Sequence, residues 1–271
     1  MADSDRPEGL FVSVSQIKTF LRCPRQYELK YVRGVEPAFV PIPLAFGSAF
    51  HTALAAFYSE LKGAGTVPDR KTLFEIFKGD LELRAAGPVP LQAEDDEEPI
   101  VLDDLLDQGE AMLEVFHENA AKSAGNMTVE EVEMPFSVEI ADPDTGELLD
   151  ERLVGVIDLV VTEYGERRIY EHKSSARKYA GDQLRFDIQP TAYLLAARSM
   201  GLGDVGLVYQ VVTKAKKPAL QLAEVGRSAE DERDFLRTVV GVLRAVDAGA
   251  FWPVRSWACR SCPYAGACGG S

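Results

Sequence analysis

The chain has 271 residues, is 46% apolar and carries a formal net charge of −14, which is enough apolar content for one large domain or two small ones with an ordinary buried core. No run of about 18 apolar residues occurs, and Met1-Ala2-Asp3-Ser4-Asp5 is acidic and polar where a secretory signal would be basic and then apolar. No membrane association is therefore expected, and the cytoplasm is the expected location.

The negative balance argues against a polyanionic partner only until its distribution is considered. Between Ala85 and Ala121 there are eleven acids and no Lys or Arg, which leaves −3 for the rest of the chain. Basic residues gather elsewhere, at Arg22, Arg25, Lys30 and Arg33, at Lys173, Arg177, Lys178 and Arg185, and at Lys214, Lys216 and Lys217. The acidic run by itself reads as a solvated helix face and loop.

In chain order, Ser13 or Ser15 is placed to cap a helix through Gln16–Leu21 that is interrupted at Cys23-Pro24 and resumes through Tyr27, Leu29 and Tyr31. After a loop with Pro37, Pro41 and Pro43, the apolar stripe Phe46, Phe50, Leu54, Phe57 and Leu61 predicts a helix with His51 beside the stripe. Further helices are predicted near Arg70–Leu83 and Leu102–Lys122, and the Pro-rich acidic loop between them is the best candidate for disorder. The period then shortens. Val129–Ile140, Glu151–Val161 and Arg168–His172 read as strands, with Asp142-Pro143-Asp144-Thr145-Gly146 and Tyr164-Gly165-Glu166 as turns. Gln183–Met200 reads as one helix, Gly206–Thr213 and Pro218–Val225 as strands, and Ser228–Ala248 as a last helix with a capping-box start. This order predicts an α/β fold, a core sheet flanked by helices with a helical insertion before it.

Two constellations carry chemistry. Cys23 stands near one end of the chain, and Cys259, Cys262 and Cys268 form a C-x2-C-x5-C cluster near the other. A disulfide framework does not need that layout, whereas a thiolate-ligated metal centre tying the two ends together does; the spacing alone suits zinc or an iron–sulfur cluster. In the middle, Asp158 ends the apolar run Leu153–Ile157, and Glu171 and Lys173 lie two apart on the next predicted strand. Residues two apart share a face, so Glu171 and Lys173 point together while His172 offers its backbone carbonyl between them, and Asp158 is placed to lie opposite Glu171 on an antiparallel neighbour. Two carboxylates and a carbonyl suit a hard cation such as Mg²⁺ or Mn²⁺, with Lys173 free to orient or deprotonate an attacking water and to steady charge on a phosphorane. Taken singly, each feature has an ordinary explanation. A Glu-x-Lys is often a surface ion pair, His51 a packed histidine, and Gln189 and Tyr193 one face of a helix.

The segments Ser15-Gln16-Ile17 through Cys23-Pro24, Phe46-Gly47-Ser48-Ala49-Phe50-His51, Gly155-Val156-Ile157-Asp158, Tyr170-Glu171-His172-Lys173-Ser174-Ser175, Gln189-Pro190-Thr191-Ala192-Tyr193 and the C-terminal cysteines occur together and in this order. In this the sequence resembles the PD-(D/E)XK nuclease superfamily, within it the RecB-type branch that includes the nuclease domains of the AddAB and RecBCD helicase-nucleases and the CRISPR-associated four-cysteine exonucleases. The resemblance spans nearly the whole chain. It implies a restriction-endonuclease-like mixed sheet flanked by helices, in a single domain over 1–271 with a helical part at about 44–125, a nuclease core at about 126–226 and cluster-binding elements at 13–33 and 251–268. It implies that His51, Asp158, Glu171 and the carbonyl of His172 bind Mg²⁺ or Mn²⁺, that Lys173 is catalytic, that Gln189 and Tyr193 line the DNA-facing side, and that Cys23, Cys259, Cys262 and Cys268 hold a [4Fe–4S] cluster. Ile157 departs from the proline of the family's name, and Pro190 falls inside a helical pattern.

The function implied is a metal-dependent deoxyribonuclease, an exonuclease on single strands or DNA ends, in repair, recombination or CRISPR-type DNA processing. No Walker A sequence occurs, so a motor would be a separate helicase, and a CRISPR adaptation protein is the other partner implied. The rival readings are a non-catalytic DNA- or partner-binding module of the same fold, disfavoured by the joint presence of Asp158, Glu171 and Lys173, and an electron-transfer protein, which leaves those three residues unexplained.

Overall fold

The computed structural model of the chain describes residues 10–92 and 101–269. The acidic loop expected to be disordered falls largely at 93–100, outside the described residues. Strand β1 (Phe11–Ser13) runs directly into helix α1 (Val14–Arg22). Ser13 ends the one and starts the other: its hydroxyl accepts the Gln16 N–H at 3.2 Å while Gln16 Oε1 accepts the Ser13 N–H at 2.6 Å, so two otherwise orphaned donors are satisfied reciprocally. Then come α2 (Pro24–Tyr27), a π-helical turn (Glu28–Val32), β2 (Val40–Pro41), α3 (Ile42–Ala64), α4 (Arg70–Ala85), β3 (Leu91–Gln92) and α5 (Leu102–Ser123). The second half comprises β4 (Met127–Ala141), β5 (Leu148–Glu163), β6 (Glu166–Ser175), α6 (Gly181–Phe186), α7 (Gln189–Ser199), β7 (Gly206–Thr213), β8 (Leu220–Val225) and α8 (Ala229–Asp247).

Two expectations are corrected. Helix α3 starts at Ile42, not Phe46, because Pro43 lies in its first turn, where the missing N–H has no partner to lose. The predicted helix Gln183–Met200 is two helices. Asp187 is extended, and its carboxylate accepts the Gln189 N–H at 3.0 Å and the Tyr209 hydroxyl at 2.8 Å, holding the chain out of helix before Pro190 enters the first turn of α7. Pro190 therefore breaks no hydrogen bond.

Strand β5 is the hub of a six-stranded mixed sheet. It pairs with β4 along nearly its whole length on one edge. On the other edge it pairs first with β1, parallel, over Arg152–Val154, and then with β6, antiparallel, over Leu159–Glu163. Gly155–Asp158 lies between these two partners, so the sheet splits at the Gly155-Val156-Ile157-Asp158 segment. The strand also turns over there. Ile157 packs into the core under α1, α7 and α8, whereas Leu159, two residues on, packs into the core under α3, α4 and α5. Opposite Asp158, Glu133 of β4 takes a left-handed φ of +49°, a strained conformation of the sort found where strands are bent for a site. Helices cover both faces and give a three-layer α/β/α arrangement. Among the described residues, no helix is long and apolar enough to cross a membrane.

Candidate active site

The split in the sheet gathers the candidate residues. Continuing the β5–β6 register one step past Leu159↔Tyr170 sets Asp158 opposite Glu171, and the Asp158 carboxylate accepts the His172 backbone N–H at 2.8 Å. From α3, His51 Nδ1 stands 3.6 Å from the same carboxylate, an ion-pair separation too long for a direct hydrogen bond. Helix α3 comes this close to β6 because Gly47 faces Ser174, whose hydroxyl would lie 3.4 Å from a side-chain carbon at that position.

Glu171 is almost completely buried. One of its oxygens, Oε1, accepts from Lys173 Nζ at 2.5 Å and from Gln189 Nε2 at 2.8 Å. The other, Oε2, is buried with no hydrogen-bond partner among the described residues. Gln189 ties the site together. Its Oε1 accepts from Lys173 Nζ at 3.2 Å and from Lys18 Nζ at 3.3 Å, while its Nε2 also donates to the Tyr193 hydroxyl at 2.8 Å. Tyr193 donates in turn to the Val156 carbonyl at 2.7 Å, satisfying a backbone group that the split leaves unpaired. The Tyr193 ring is braced edge-on by Phe136, centroids 5.8 Å apart. Gly155 makes that brace possible, since a side-chain carbon there would come within 2.5 Å of the Phe136 ring.

The two carboxylates have opposite acidities. Burial alone would raise Asp158, but His51 beside it and the His172 backbone bond outweigh burial and hold it at about 2. Glu171 is pushed up to about 7 by burial first and by the charge of Asp158 second, with Lys173 offsetting only part of this. Burial would lower Lys173, but Glu171 overrides it and holds the amine above its usual range, which favours the cation. His51 is raised, Asp158 prevailing over burial.

His172 divides its functions between backbone and ring. The N–H serves Asp158, while the ring lies on the opposite face, stacked on Tyr58 at 5.5 Å and edge-on to Phe116. Both ring nitrogens are buried without partners among the described residues, and burial pushes the imidazole down to about 4. His172→Phe is therefore expected to leave thermal stability equal or higher, as melting curves would show, because removing two unsatisfied buried nitrogens relieves a desolvation penalty. A His172→Phe protein melting well below the unaltered chain would show instead that the ring is satisfied, Gln210 being the side chain at hand.

Every candidate of the central constellation is brought together: His51, Asp158, Glu171, His172 by its backbone, Lys173, Gln189 and Tyr193. Two participants escaped the sequence reading, Lys18 and Asp187, which form an ion pair at 2.7 Å beside Gln189. Only the lysine's place in the segment leading to Cys23 could have pointed to it.

The cysteines form a second location. Cys23, Cys259, Cys262 and Cys268 line one small cavity with Gln26, Leu29 and Tyr264. The Val254 N–H points at Cys23 Sγ from 3.4 Å, and burial pushes the Cys262 thiol up. Among the described residues, no set of three or more His, Cys, Asp or Glu side chains is drawn together as a metal ion would draw it.

A solved structure from Eubacterium rectale, designated "putative exonuclease", superposes with a TM-score of 0.51 at 16% identity, over 90% of this chain and 84% of that one. A second, of the protein SSO0001, gives a TM-score of 0.45 at 16% identity, over 98% and 89%. No curated protein matches the sequence. The family model of the PD-(D/E)XK nuclease superfamily matches residues 12–269, nearly the whole chain from β1 to the last cysteine, and the chain belongs to that superfamily.

Proposed function

We propose that the chain is a divalent-metal-dependent deoxyribonuclease that acts as an exonuclease on single strands or DNA ends. The observation carrying this reading is the convergence of Asp158, Glu171 and Lys173 at the split in the sheet, with Glu171 Oε2 buried and lacking a hydrogen-bond partner. A buried carboxylate oxygen without a donor is expensive, and a cation beside it removes the penalty. Carboxylate and carbonyl oxygens are the ligands of Mg²⁺ and Mn²⁺, so the residues fit. Asp158, Glu171 and the His172 carbonyl would hold the ion with His51 alongside, and a bound ion supplies Lewis-acid polarisation and an acidified water.

The chain's own residues do the rest. Lys173, kept cationic, orients the attacking water and offsets charge on the phosphoryl oxygens. Gln189 fixes Glu171 and Lys173 relative to each other, and Tyr193 keeps the split strand in shape. Lys18, together with the exposed Arg177, Lys178, Lys216 and Lys217 in the loops after β6 and β7, meets the phosphates. These loops are joined by the Lys214 N–H to Ser175 carbonyl bond at 2.7 Å. The four cysteines are proposed to hold a [4Fe–4S] cluster, the donor set and its shared cavity supporting a thiolate centre between the chain ends. A helicase or a CRISPR adaptation protein is the proposed partner class.

The test is incubation of the purified full chain with end-labelled single strands, blunt duplexes and overhanging duplexes in Mg²⁺, Mn²⁺ or EDTA. Cleavage that needs Mg²⁺ or Mn²⁺ and shortens DNA from an end is expected. Cleavage undiminished by EDTA, or none on any DNA, would contradict the reading.

A further inference from the structure

Cys23, Cys259 and Cys262 form one wall of a groove of about 470 Å³ between the start of α3 and the C-terminal segment. Arg22 and Lys30 line it together with Phe39, Leu44 and Trp257, and among its described lining residues there is no Asp or Glu. In a chain with 43 acids, an acid-free groove carrying two cations is a specific electrostatic environment. Neither Arg22 nor Lys30 enters an ion pair among the described residues; both are exposed, and the Lys30 amine lies 4.9 Å from the centre of the Tyr31 ring. Trp257 opens the short helical turn Trp257–Cys259 and is 84% exposed. A tryptophan that packs against nothing is costly to display unless something covers it.

The groove is connected to the active site through one helix. Lys18 of α1 reaches Gln189 and Asp187 at the site, and Arg22, four residues on, reaches the groove. One helical turn, about 6 Å of rise, separates them on the same face. A chain of phosphates leaving Lys18 along this face would meet Arg22 next, and Lys30 lines the same groove. A row of cations beside an exposed aromatic plane is the arrangement that grips unpaired nucleotides, the cations on phosphates and the ring against a base.

We propose that this groove binds unpaired nucleotides of a DNA strand running between it and the Asp158–Glu171 site, with Arg22 and Lys30 against the phosphates and Trp257 stacked on a base. The proposal rests on the nuclease reading for the identity of the strand. The chain has two tryptophans, Trp252 and Trp257, so in a Trp252→Phe background the emission comes from Trp257 alone. The experiment titrates that full-length protein, in EDTA, with a single-stranded oligodeoxynucleotide of about 16 nucleotides. Saturable quenching is expected, and Trp257→Ala and Arg22→Glu, made in the unaltered chain and followed by the anisotropy of a labelled oligonucleotide, should each weaken binding about tenfold, with Trp257→Phe restoring most of it. An abasic strand of equal length should bind through phosphates but leave the emission unchanged.

Three results would overturn the proposal: no quenching at saturating oligonucleotide, equal quenching by the abasic strand, or unchanged affinity in both Trp257→Ala and Arg22→Glu. Because binding is read in chelator, the two claims fail separately. A protein that responds at Trp257 but cleaves no DNA in Mg²⁺ or Mn²⁺ refutes the nuclease reading, whereas one that cleaves with Trp257 silent refutes the groove.

Discussion

Lys173→Ala and Asp158→Ala are each expected to abolish DNA cleavage, by a factor on the order of 10³ for loss of a group that meets charge developing at the reacting phosphate, while the protein stays folded. The folding half of this expectation follows from the site's electrostatics. Removing Lys173 leaves Glu171 buried near Asp158, and since its carboxyl already sits at about 7, it takes up a proton near neutral pH instead of remaining an unpaired buried charge. Removing Asp158 strips His51 of its ion-pair partner and frees the His172 N–H, a local loss at the mouth of the split and not in either core. His51→Ala is expected to be milder, since the imidazole stands beside Asp158 and contributes more to Mn²⁺ than to Mg²⁺ coordination. Steady-state cleavage of an end-labelled strand, with melting curves on the same samples, checks all three. Activity above contaminant level in purified Lys173→Ala or Asp158→Ala would remove those residues from the chemistry.

The second large effect concerns stability. If the cysteines hold a cluster, a centre joining Cys23 to Cys259 closes a loop of more than two hundred residues, and by analogy with a covalent cross-link it removes unfolded-chain freedom worth about 5 kcal/mol. That is a large part of the roughly 5–15 kcal/mol by which a domain is stable. Cys23→Ser is therefore expected to lose the broad absorbance of thiolate-ligated iron and to melt well below the wild type, with activity falling as a consequence. Val254 and Pro253, which share the cavity with the cysteines, would be the first backbone released. Anaerobic purification with iron, sulfide and zinc analysis, followed by thermal melting, makes the comparison. Full iron content and unaltered melting in Cys23→Ser would defeat the staple. A colourless zinc-containing wild type would replace the cluster but keep the staple.

Much of the site was legible because it rests on short-range rules. Alternation along β6 was enough to place Glu171 and Lys173 together and the His172 ring on the other side, where Tyr58 and Phe116 receive it. The turn at Tyr164-Gly165, with φ of +52° and +84°, fixed the β5–β6 register that brings Asp158 opposite Glu171. What the sequence did not reveal depends on tertiary packing. Lys18 meets Gln189 across 171 positions, only because β1 pairs with β5 and ends where Ser13 caps α1. A three-residue strand carries too few residues for a period to be read. The break between α6 and α7 was hidden because apolar periodicity continues through Ile188, and the Asp187 carboxylate that enforces it gains its partners, Lys18 and Tyr209, from distant strands and helices. The start of α3 was misplaced for a local reason, proline having been read as a breaker at the one helical position that tolerates it.

A cation held by Asp158 and Glu171 is at the centre of the proposed chemistry. Electron paramagnetic resonance titration of Mn²⁺, in the presence of single-stranded DNA, measures this most directly, with the Lys173→Ala chain compared with the same chain also carrying Glu171→Gln. The Lys173→Ala protein should take up Mn²⁺ saturably at pH 8 and more weakly at pH 6, because a proton then competes at Glu171, whose carboxyl burial and Asp158 raise even with Lys173 in place and raise further without it, and the added Glu171→Gln change should remove that uptake. Saturable binding of equal strength in both proteins, with no difference between pH 8 and pH 6, would contradict the assignment.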